Sequence, residues 1–161
     1  MTNTLLTLLS AEAIARHTAS GFWRDDTIYA LAAAHARHAP DSHASRDRYR
    51  RVTYRDLVAA ADAFADDLSQ RGVREGQRVA VWLPSRIESI VALLACSRNG
   101  YICCPSLHRD HTIGEIVGLL QRIRAAALVV QSGYGGDADK RDLGAALKEV
   151  SSLKHVYALD A

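Results

Sequence analysis

At 161 residues, the chain is long enough to bury the core of one domain, and we predict a single domain. Hydrophobic residues make up 48% of the chain and charged residues 24%, and the formal net charge is +2, as is ordinary for a globular protein. This charge argues neither for nor against a nucleic-acid partner, but no patch of aromatic and basic residues is evident, so we expect none. No apolar run approaches the ~20 residues that a membrane-spanning helix needs, so we predict no transmembrane segment.

The N-terminal part of the chain predicts two short helices. Residues 1–20 are expected to be a loosely attached leader with a short helix capped by Ser10. A second helix is predicted from Ile28 to His38, capped by Thr27 and ended by Pro40.

Two features that follow are open to more than one interpretation. His35 and His38 share a helix face, but two histidines without a third ligand are more often surface residues than a metal site. The basic run from Arg46 to Arg51 is interpreted as the solvated arm of a small hairpin, and a phosphate-binding role is the alternative.

Three tetrapeptides have the pattern of a capping box, in which a hydroxyl and a carboxylate satisfy the first free amides of a helix. They are Thr53-Tyr54-Arg55-Asp56, Ser85-Arg86-Ile87-Glu88 and Thr112-Ile113-Gly114-Glu115. We therefore predict that a helix begins at each of them.

Apolar stripes at helical spacing alternate with short, continuously apolar runs. The stripes are Leu57, Ala61, Phe64 and Leu68; Ile87, Ile90, Val91 and Leu94; Ile113, Ile116, Val117 and Leu120; and Leu143, Ala146, Leu147 and Val150. The predicted strands are Val79–Leu83, Tyr101–Cys104 ended by Pro105, Ala126–Val130 and His155–Leu159. Strands without polar alternation, separated by one-sided helices, indicate an α/β fold with a doubly wound, mainly parallel sheet flanked by helices.

The three cysteines support neither a zinc site nor a disulfide framework. They are Cys96, Cys103 and Cys104, and their spacing contains no Cys-x-x-Cys. Cys103 and Cys104 are expected to be small buried hydrophobic residues of the second strand. We predict no metal site, and the cysteine usage fits a cytoplasmic protein.

Five spaced motifs resemble the adenylate-forming (AMP-binding) superfamily, and its acyl-CoA synthetases in particular. Each motif alone is weakly specific, but all five occur in the family's order across residues 21–131. They are Gly21-Phe22-Trp23 followed by Thr27; Val52-Thr53-Tyr54-Arg55-Asp56-Leu57; Gly72-Val73-Arg74-Glu75-Gly76-Gln77-Arg78-Val79-Ala80-Val81; Leu83-Pro84-Ser85-Arg86-Ile87-Glu88; and Ser97-Arg98-Asn99-Gly100-Tyr101-Ile102-Cys103-Cys104-Pro105, continued by Arg109 and Glu115-Ile116.

The resemblance implies that the parent protein is an ATP-dependent acid–CoA ligase whose substrate is a small fatty, alicyclic or aromatic carboxylic acid. In the family, the carboxylate attacks the α-phosphate of ATP with the help of Mg²⁺, giving an acyl-adenylate and pyrophosphate. The thiol of CoA then captures the acyl group. Developing phosphoryl charge requires preorganised amides, a metal ion and cationic side chains.

The catalytic motifs of the family are absent from these 161 residues, and the resemblance places them downstream of Ala161. We therefore expect residues 21–161 to be a partial N-terminal α/β subdomain, truncated before the ATP-binding motifs. The chain alone is expected to be inactive and to bind no ATP, Mg²⁺ or CoA. An apolar surface exposed by the truncation would favour self-association.

Three residues are candidates for contact with the phosphates of CoA. In some relatives the loop and helix after the position of Pro105 approach the CoA nucleotide, which implies such a role for His108, Arg109 and Arg122. The alternative, which we favour, is that they are solvated charges of a loop and a helix.

A glycine-rich segment matches the dinucleotide-binding fingerprint. Gly133 to Ala138 satisfies G-x-G-x-x-A after a predicted strand, and Asp160 stands where a ribose-binding acid is expected. The negative charges of Asp137 and Asp139 would repel a pyrophosphate, so we instead predict that Asp137 caps a helix from Ala138 to Val150. A freestanding Rossmann-like nucleotide-binding domain and a non-catalytic interaction domain remain the alternatives to the ligase.

Overall fold

The computed structural model describes residues 9–105 and 108–161, so residues 1–8 of the predicted leader lie outside the described residues. The helices are α1 (Ala11–Ala19), α2 (Ile28–His38), α3 (Tyr54–Gln70), α4 (Ile87–Asn99), α5 (Ile113–Ile123) and α6 (Leu143–Leu147). The strands are β1 (His43–Arg46), β2 (Arg51–Thr53), β3 (Arg78–Trp82), β4 (Ile102–Pro105), β5 (Ala125–Gln131) and β6 (His155–Leu159).

Strands β3 to β6 form a parallel sheet in the order β4-β3-β5-β6. Parallel neighbours need crossover connections, which the intervening helices supply. The chain runs from β3 outward to β4, returns past β3 to β5, and continues to β6. The order of the strands therefore reverses between β3 and β5.

Side chains of the two central strands point alternately to two separate cores. Trp82, Leu128 and Val130 pack with the apolar residues of α5 and with Leu147 of α6. On the opposite face, the buried residues are Val79, Val81, Ala127, Val129, Leu68 of α3 and Ala92 and Cys96 of α4. Helices thus cover both faces, and the predicted doubly wound, parallel α/β class is confirmed.

Strands β1 and β2 form a separate antiparallel hairpin, as the basic run predicted. The inner side of this hairpin packs with α2, α3 and α4 in a third apolar cluster, which contains Leu57, Ile87, Leu94 and Val52. The hairpin is therefore fixed against the N-terminal end of α4.

Two of the three predicted capping boxes are present. In the first, the Thr53 hydroxyl accepts from the amide of Asp56 and the Asp56 carboxylate accepts from the amide of Thr53. Thr112 and Glu115 are related in the same way at the start of α5.

The box predicted at Ser85 is wrong. The N-cap residue of α4 is Arg86, whose side chain makes no capping hydrogen bond. The amide of Ile87 donates instead to Oδ2 of Asp47 in the hairpin, at 3.1 Å. The carboxylate of Glu88, which would complete the box, lies 2.7 Å from Arg50 and 3.2 Å from Arg86.

The second predicted strand lies at an edge of the sheet, and this changes the environment of its cysteines. Among the described residues β3 is the only strand that pairs with β4, and Ile102 is 45% exposed. Cys103 and Cys104 are half-buried rather than buried, because the edge strand is covered less completely than the centre. Pro105, at the end of β4, is tolerated because an edge strand needs fewer amide donors.

The helix predicted from Ala138 to Val150 is shorter in the structure, where it is α6. Residues 136–140 form turns, and α6 begins only at Leu143, with Asp142 as its N-cap, whose carboxylate accepts from the amide of Gly144. Leu147 and Val150 are still buried against α5 and the sheet. The apolar pattern therefore identified the packed face correctly, while the predicted start at Ala138 and the end at Val150 were wrong.

Candidate functional site

A crevice lies where the order of the strands reverses, at the carboxyl ends of β3 and β5. In open α/β sheets this position is where ligands bind, because the two connections leave in opposite directions and open a gap. The cavity has a volume of about 510 Å³. It is lined by Ser45, Arg46, Asp47, Leu83, Pro84, Ser85, Arg86, Ile87, Ser89, Ile90, Arg109 and Tyr134.

Arg86 connects the walls of this crevice. Its Nη1 donates to Oε1 of Gln131 at 2.9 Å and to the carbonyl oxygen of Asp160 at 2.5 Å. Its guanidinium also pairs with Glu88 and lies over the ring of Tyr49, 5.6 Å from the ring centroid. The guanidinium of Arg86 is thus paired with groups of the protein, and these contacts hold the ends of β5 and β6 beside the start of α4.

Asp47 fixes the hairpin that forms the opposite wall. Its Oδ1 accepts from the amides of Tyr49 and Arg50, each at 2.9 Å, and its Oδ2 accepts from the amide of Ile87. Partial burial raises the pKa of this carboxyl, but the three amides and the nearby charge of Arg50 together outweigh that effect, so its pKa is lowered from the ordinary value. Asp47 therefore remains ionised, and its hydrogen bonds connect the hairpin to the start of α4.

The residues proposed from the sequence for CoA phosphates lie in different places. Arg109 lines the crevice, whereas Arg122 lines a groove of about 390 Å³ along α5 with His111, Glu115 and Leu119. The backbone carbonyl of His108 accepts from Nε1 of Trp82 at 3.2 Å. The His108 ring lies edge-on to that of His111, with centroids 5.3 Å apart. The three candidates are therefore not gathered in one cavity.

The glycine-rich segment that matches the dinucleotide fingerprint packs against the loop before α5. The amide of Gly136 donates to the carbonyl of His111, and a Cβ at Gly136 would lie 2.7 Å from the carbonyl oxygen of Asp110. A Cβ at Gly135 would lie 2.7 Å from the ring of Trp82. These glycines are required for close packing between parts of the chain.

Asp137 caps a helix, but a different one from that predicted. Its Oδ1 accepts from the amide of Ile113 at 2.7 Å, so the carboxylate lies at the N-terminus of α5. No helix begins at Ala138 to present its amides to a pyrophosphate. The match to the fingerprint therefore has a structural explanation, and the prediction that Asp137 caps the following helix was wrong.

Two features are absent from the described residues. Among residues 9–105 and 108–161, no group of three or more His, Cys, Asp or Glu side chains is placed to hold a metal ion. Within the same ranges, no helix is both long and apolar enough to cross a bilayer.

Arg109 was a candidate from the sequence, but Arg86 and Asp47, which shape the crevice, were not identified as site residues. Arg86 and Asp47 had been assigned to a capping box and to a solvated hairpin arm. Their partners are far away along the chain, since 40 residues separate Asp47 from Ile87 and 74 separate Arg86 from Asp160. The only local feature of the sequence that points to the role of Asp47 is the presence of an acidic residue within a basic run. An aspartate that accepts hydrogen bonds from the backbone of a turn would explain an acid at this position.

Comparisons with known proteins agree with one another. The family model described as "AMP-binding enzyme" matches residues 32–161. The 2-hydroxy-7-methoxy-5-methyl-1-naphthoate–CoA ligase of Streptomyces carzinostaticus is 34% identical over 120 residues, which are 74% of this chain and 21% of that ligase. The acetyl-coenzyme A synthetase of Burkholderia lata is 50% identical over 50 residues, 31% of this chain and 8% of the synthetase.

A solved structure resembles the whole α/β layer. The apo structure of MbtA from Mycobacterium smegmatis has a TM-score of 0.75 and 32% sequence identity to this chain. The similarity covers 94% of this chain and 28% of MbtA. The matched part of this chain thus spans about a fifth of the naphthoate–CoA ligase and somewhat more than a quarter of MbtA.

Proposed function

This chain belongs to the AMP-binding enzyme family, and we propose that it forms the N-terminal part of an ATP-dependent acid–CoA ligase. The observation that carries the proposal is the extent of the family match. Residues 32–161 contain both strands of the hairpin and all four strands of the sheet. The match is therefore to the folded layer as a whole.

The reaction proposed for the parent protein converts a small carboxylic acid and ATP to an acyl-adenylate and pyrophosphate, and then transfers the acyl group to CoA. We propose an aromatic, fatty or alicyclic acid, and the identity to a naphthoate–CoA ligase supports the aromatic class. We further propose that the parent enzyme works in the cytoplasm.

The role proposed for this chain is structural, with the catalytic residues supplied by other parts of the parent protein. The three prolines are followed by Asp41, Ser85 and Ser106, so the Pro-Lys-Gly end of the family's phosphate loop is not among these residues. The described residues also lack a cluster of ligands suited to Mg²⁺. We propose that the chain alone neither catalyses the reaction nor retains ATP, Mg²⁺ or CoA.

Two further parts of the proposal concern binding surfaces. For the CoA phosphates, the groove of Arg122 and the crevice of Arg109 are alternative positions, and His108 lines neither of them. For self-association, the exposed side chains of Phe22 (80%) and Ile28 (55%) belong to the N-terminal part of the chain and not to the surface for which self-association was predicted, so that part of the proposal stays a prediction.

A chimeric enzyme tests the proposed function. Residues 32–161 replace the equivalent segment of the Streptomyces naphthoate–CoA ligase, and pyrophosphate release is measured with ATP, Mg²⁺ and a panel of acids. We expect release that depends on the naphthoate, because the rest of the relative would supply its catalytic residues. The 161-residue chain alone and the relative lacking the segment are the controls, and both should release none.

Two results would count against the ligase. Acid-dependent pyrophosphate release by the 161-residue chain alone would contradict its structural role. A chimera that folds, as judged by thermal unfolding, but releases no pyrophosphate would favour the non-catalytic interaction domain.

A further inference from the structure

We propose that Cys103 is a site of reversible oxidation by hydroperoxides, and that Cys96 captures its oxidised form as an intramolecular disulfide. The two cysteines lie on different elements, Cys96 in the last turn of α4 and Cys103 in the edge strand β4. The proposal concerns the chemistry of this chain itself, so it does not depend on the activity of the parent protein.

The end of α4 brings the two cysteines together. Gly100 has a left-handed φ of 69°, and its amide and that of Tyr101 both donate to the carbonyl oxygen of Cys96. A glycine in this conformation ends a helix and redirects the chain. The start of β4 therefore returns to the last turn of α4, where Cys103 packs against the apolar cluster that contains Cys96.

The alternation of side chains along β4 separates Cys103 from its neighbour Cys104. Successive side chains of a strand point to opposite faces of the sheet. Tyr101 and Cys103 pack in the same apolar cluster as Cys96, which is 1% exposed. Cys104 therefore points to the other face, and its thiol donates to the carbonyl oxygen of Ile102 at 3.8 Å. Of these two neighbours, Cys103 is the one that faces Cys96.

The contact between the two thiols makes Cys103 the more reactive cysteine. A hydrogen bond that the Cys96 thiol donates lowers the pKa of the Cys103 thiol and outweighs the effect of partial burial. The same hydrogen bond, together with burial, raises the pKa of Cys96, and burial raises the pKa of Cys104. Because the thiolate is the nucleophile, and Cys103 is also only half-buried, an oxidant reacts first with Cys103.

The oxidation consists of two steps and consumes one hydroperoxide. In the first step, the Cys103 thiolate attacks a peroxide oxygen and the O–O bond breaks, which gives a sulfenic acid and, after uptake of a proton, water or an alcohol. In the second step, the Cys96 sulfur attacks the Cys103 sulfur, the S–S bond forms, and the hydroxyl group leaves as water with the proton of Cys96. The peroxide is thus reduced, and each sulfur loses one electron.

Formation of the disulfide requires a local movement. The sulfurs of a disulfide lie about 2 Å apart, and rotation about χ1 of the half-buried Cys103 would bring its sulfur to this distance from Cys96. The bond would join the edge strand β4 to α4, and a thiol reductant would reopen it by exchange. The spacing of the cysteines in the sequence does not predict this pair, because the contact depends on the helix end at Gly100.

Peptide mapping of the 161-residue chain after treatment with hydrogen peroxide tests the proposal. Free thiols are alkylated before digestion, so that no disulfide forms afterwards. Trypsin cleaves after Arg98, which separates Cys96 from the peptide that contains Cys103 and Cys104. We expect mass spectrometry to find the two peptides joined by a disulfide that fragmentation assigns to Cys103. Treatment with dithiothreitol before alkylation should separate them.

Single variants assign the role of each cysteine. Cys104→Ser is the matched control, because it removes the neighbouring thiol and should form the disulfide as fast as wild type. Cys103→Ser should lower the yield of joined peptides about tenfold or more, since the correctly placed thiol is lost. Cys96→Ala keeps this buried position apolar and should leave Cys103 as a sulfenic acid, which dimedone labels. Circular dichroism verifies that each variant is folded.

The unfolded chain provides a second control. In urea, the loops that join Cys96 to Cys103 and to Cys104 differ by one residue, so the two disulfides should form in about equal amounts. In the folded chain, the disulfide to Cys103 should exceed the disulfide to Cys104 about tenfold, because the fold places one thiol beside Cys96 and directs the other away.

Several outcomes would overturn the proposal. Equal amounts of the two disulfides in the folded chain would show that the fold does not select Cys103. Oxidation of wild-type Cys103 to a sulfenic or sulfinic acid without a disulfide would show that Cys96 does not reach it. Disulfides that join different molecules, or an equal loss of joined peptides in Cys104→Ser and Cys103→Ser, would also contradict the intramolecular pair.

Discussion

The carboxylate of Asp47 accepts the amide of Ile87 at 3.1 Å and so caps a helix that begins 40 residues further along the chain. The same carboxylate closes the turn of the hairpin by accepting the amides of Tyr49 and Arg50. The position of the hairpin and the start of α4 therefore depend on each other. Because both border the crevice, the shape of the crevice depends on this one side chain.

The substitution Asp47→Ala should lower the melting temperature more than any other carboxylate substitution in the hairpin region. All three backbone amides would lose their acceptor, and a lost helix cap typically lowers Tm by about 2–4 °C in a domain of this size. Asp47→Asn, which keeps one carbonyl oxygen, should have an intermediate effect. Thermal unfolding followed by circular dichroism measures all three proteins.

Asp41→Ala is the control, since Asp41 makes an exposed ion pair with Arg55, and such pairs contribute little. An equal loss of Tm in Asp41→Ala and Asp47→Ala would show that the capping contact does not stabilise the fold.

The contribution of Asp47 to stability should depend on pH in a defined direction. Its folded-state pKa lies below the ordinary value of 3.8, because the three amides and the nearby charge of Arg50 together outweigh partial burial. Its stabilising contribution is therefore fully present above that ordinary value and is lost as the pH falls through the folded-state pKa. The difference in unfolding free energy between wild type and Asp47→Asn should be constant near neutral pH and shrink on acidification below about pH 4.

Urea unfolding between pH 3 and pH 7 measures this difference. Thr27→Ala removes a hydroxyl cap that does not titrate, so its effect on the free energy should be the same throughout this range. A difference for Asp47→Asn that grows as the pH falls would contradict the sign of the shift.

Sequence patterns predicted local structure well and long-range structure poorly. The stripe Ile113, Ile116, Val117 and Leu120 is buried in full, because the period of a helix determines which residues face a neighbouring sheet. The boxes at Thr53 and Thr112 are present because both partners lie within four residues. The order of the strands, the edge position of β4 and the role of Arg86 depend on contacts between distant residues, which no local pattern encodes.

The predicted capping boxes that are present and the one that is absent should differ in their contribution to stability. Thr53→Ala and Thr112→Ala each remove a hydroxyl that accepts an amide at a helix start, and each should cost about 1 kcal/mol of unfolding free energy. Ser85→Ala should change the free energy by less than about 0.5 kcal/mol, the range of ordinary surface substitutions, since Ser85 caps no helix. Urea unfolding of the three single variants provides the comparison. A loss of unfolding free energy in Ser85→Ala as large as that in Thr112→Ala would indicate that the third capping box does form.

Substitution by alanine should change the stability of the protein in opposite directions at two glycines, one within α5 and one packed beside its N-terminus. A Cβ at Gly118, inside the helix, meets no atom within 4 Å, so Gly118→Ala should stabilise the protein by about 0.5–1 kcal/mol through its higher helix propensity. A Cβ at Gly136 would lie 2.7 Å from the carbonyl oxygen of Asp110, and backbone must move to accommodate it. Gly136→Ala should therefore destabilise the protein by about 1–3 kcal/mol.

Urea unfolding of both variants under identical conditions measures the contrast, with wild type as the common reference. Gly136 also donates its amide to His111, so its displacement would disturb the loop that carries Arg109 into the crevice. We therefore expect Gly136→Ala, but not Gly118→Ala, to shift the amide signals of residues 108–112. If Gly136→Ala were as stable as wild type, the glycine-rich segment would not be packed on this loop, and its match to a dinucleotide-binding fingerprint would need another explanation.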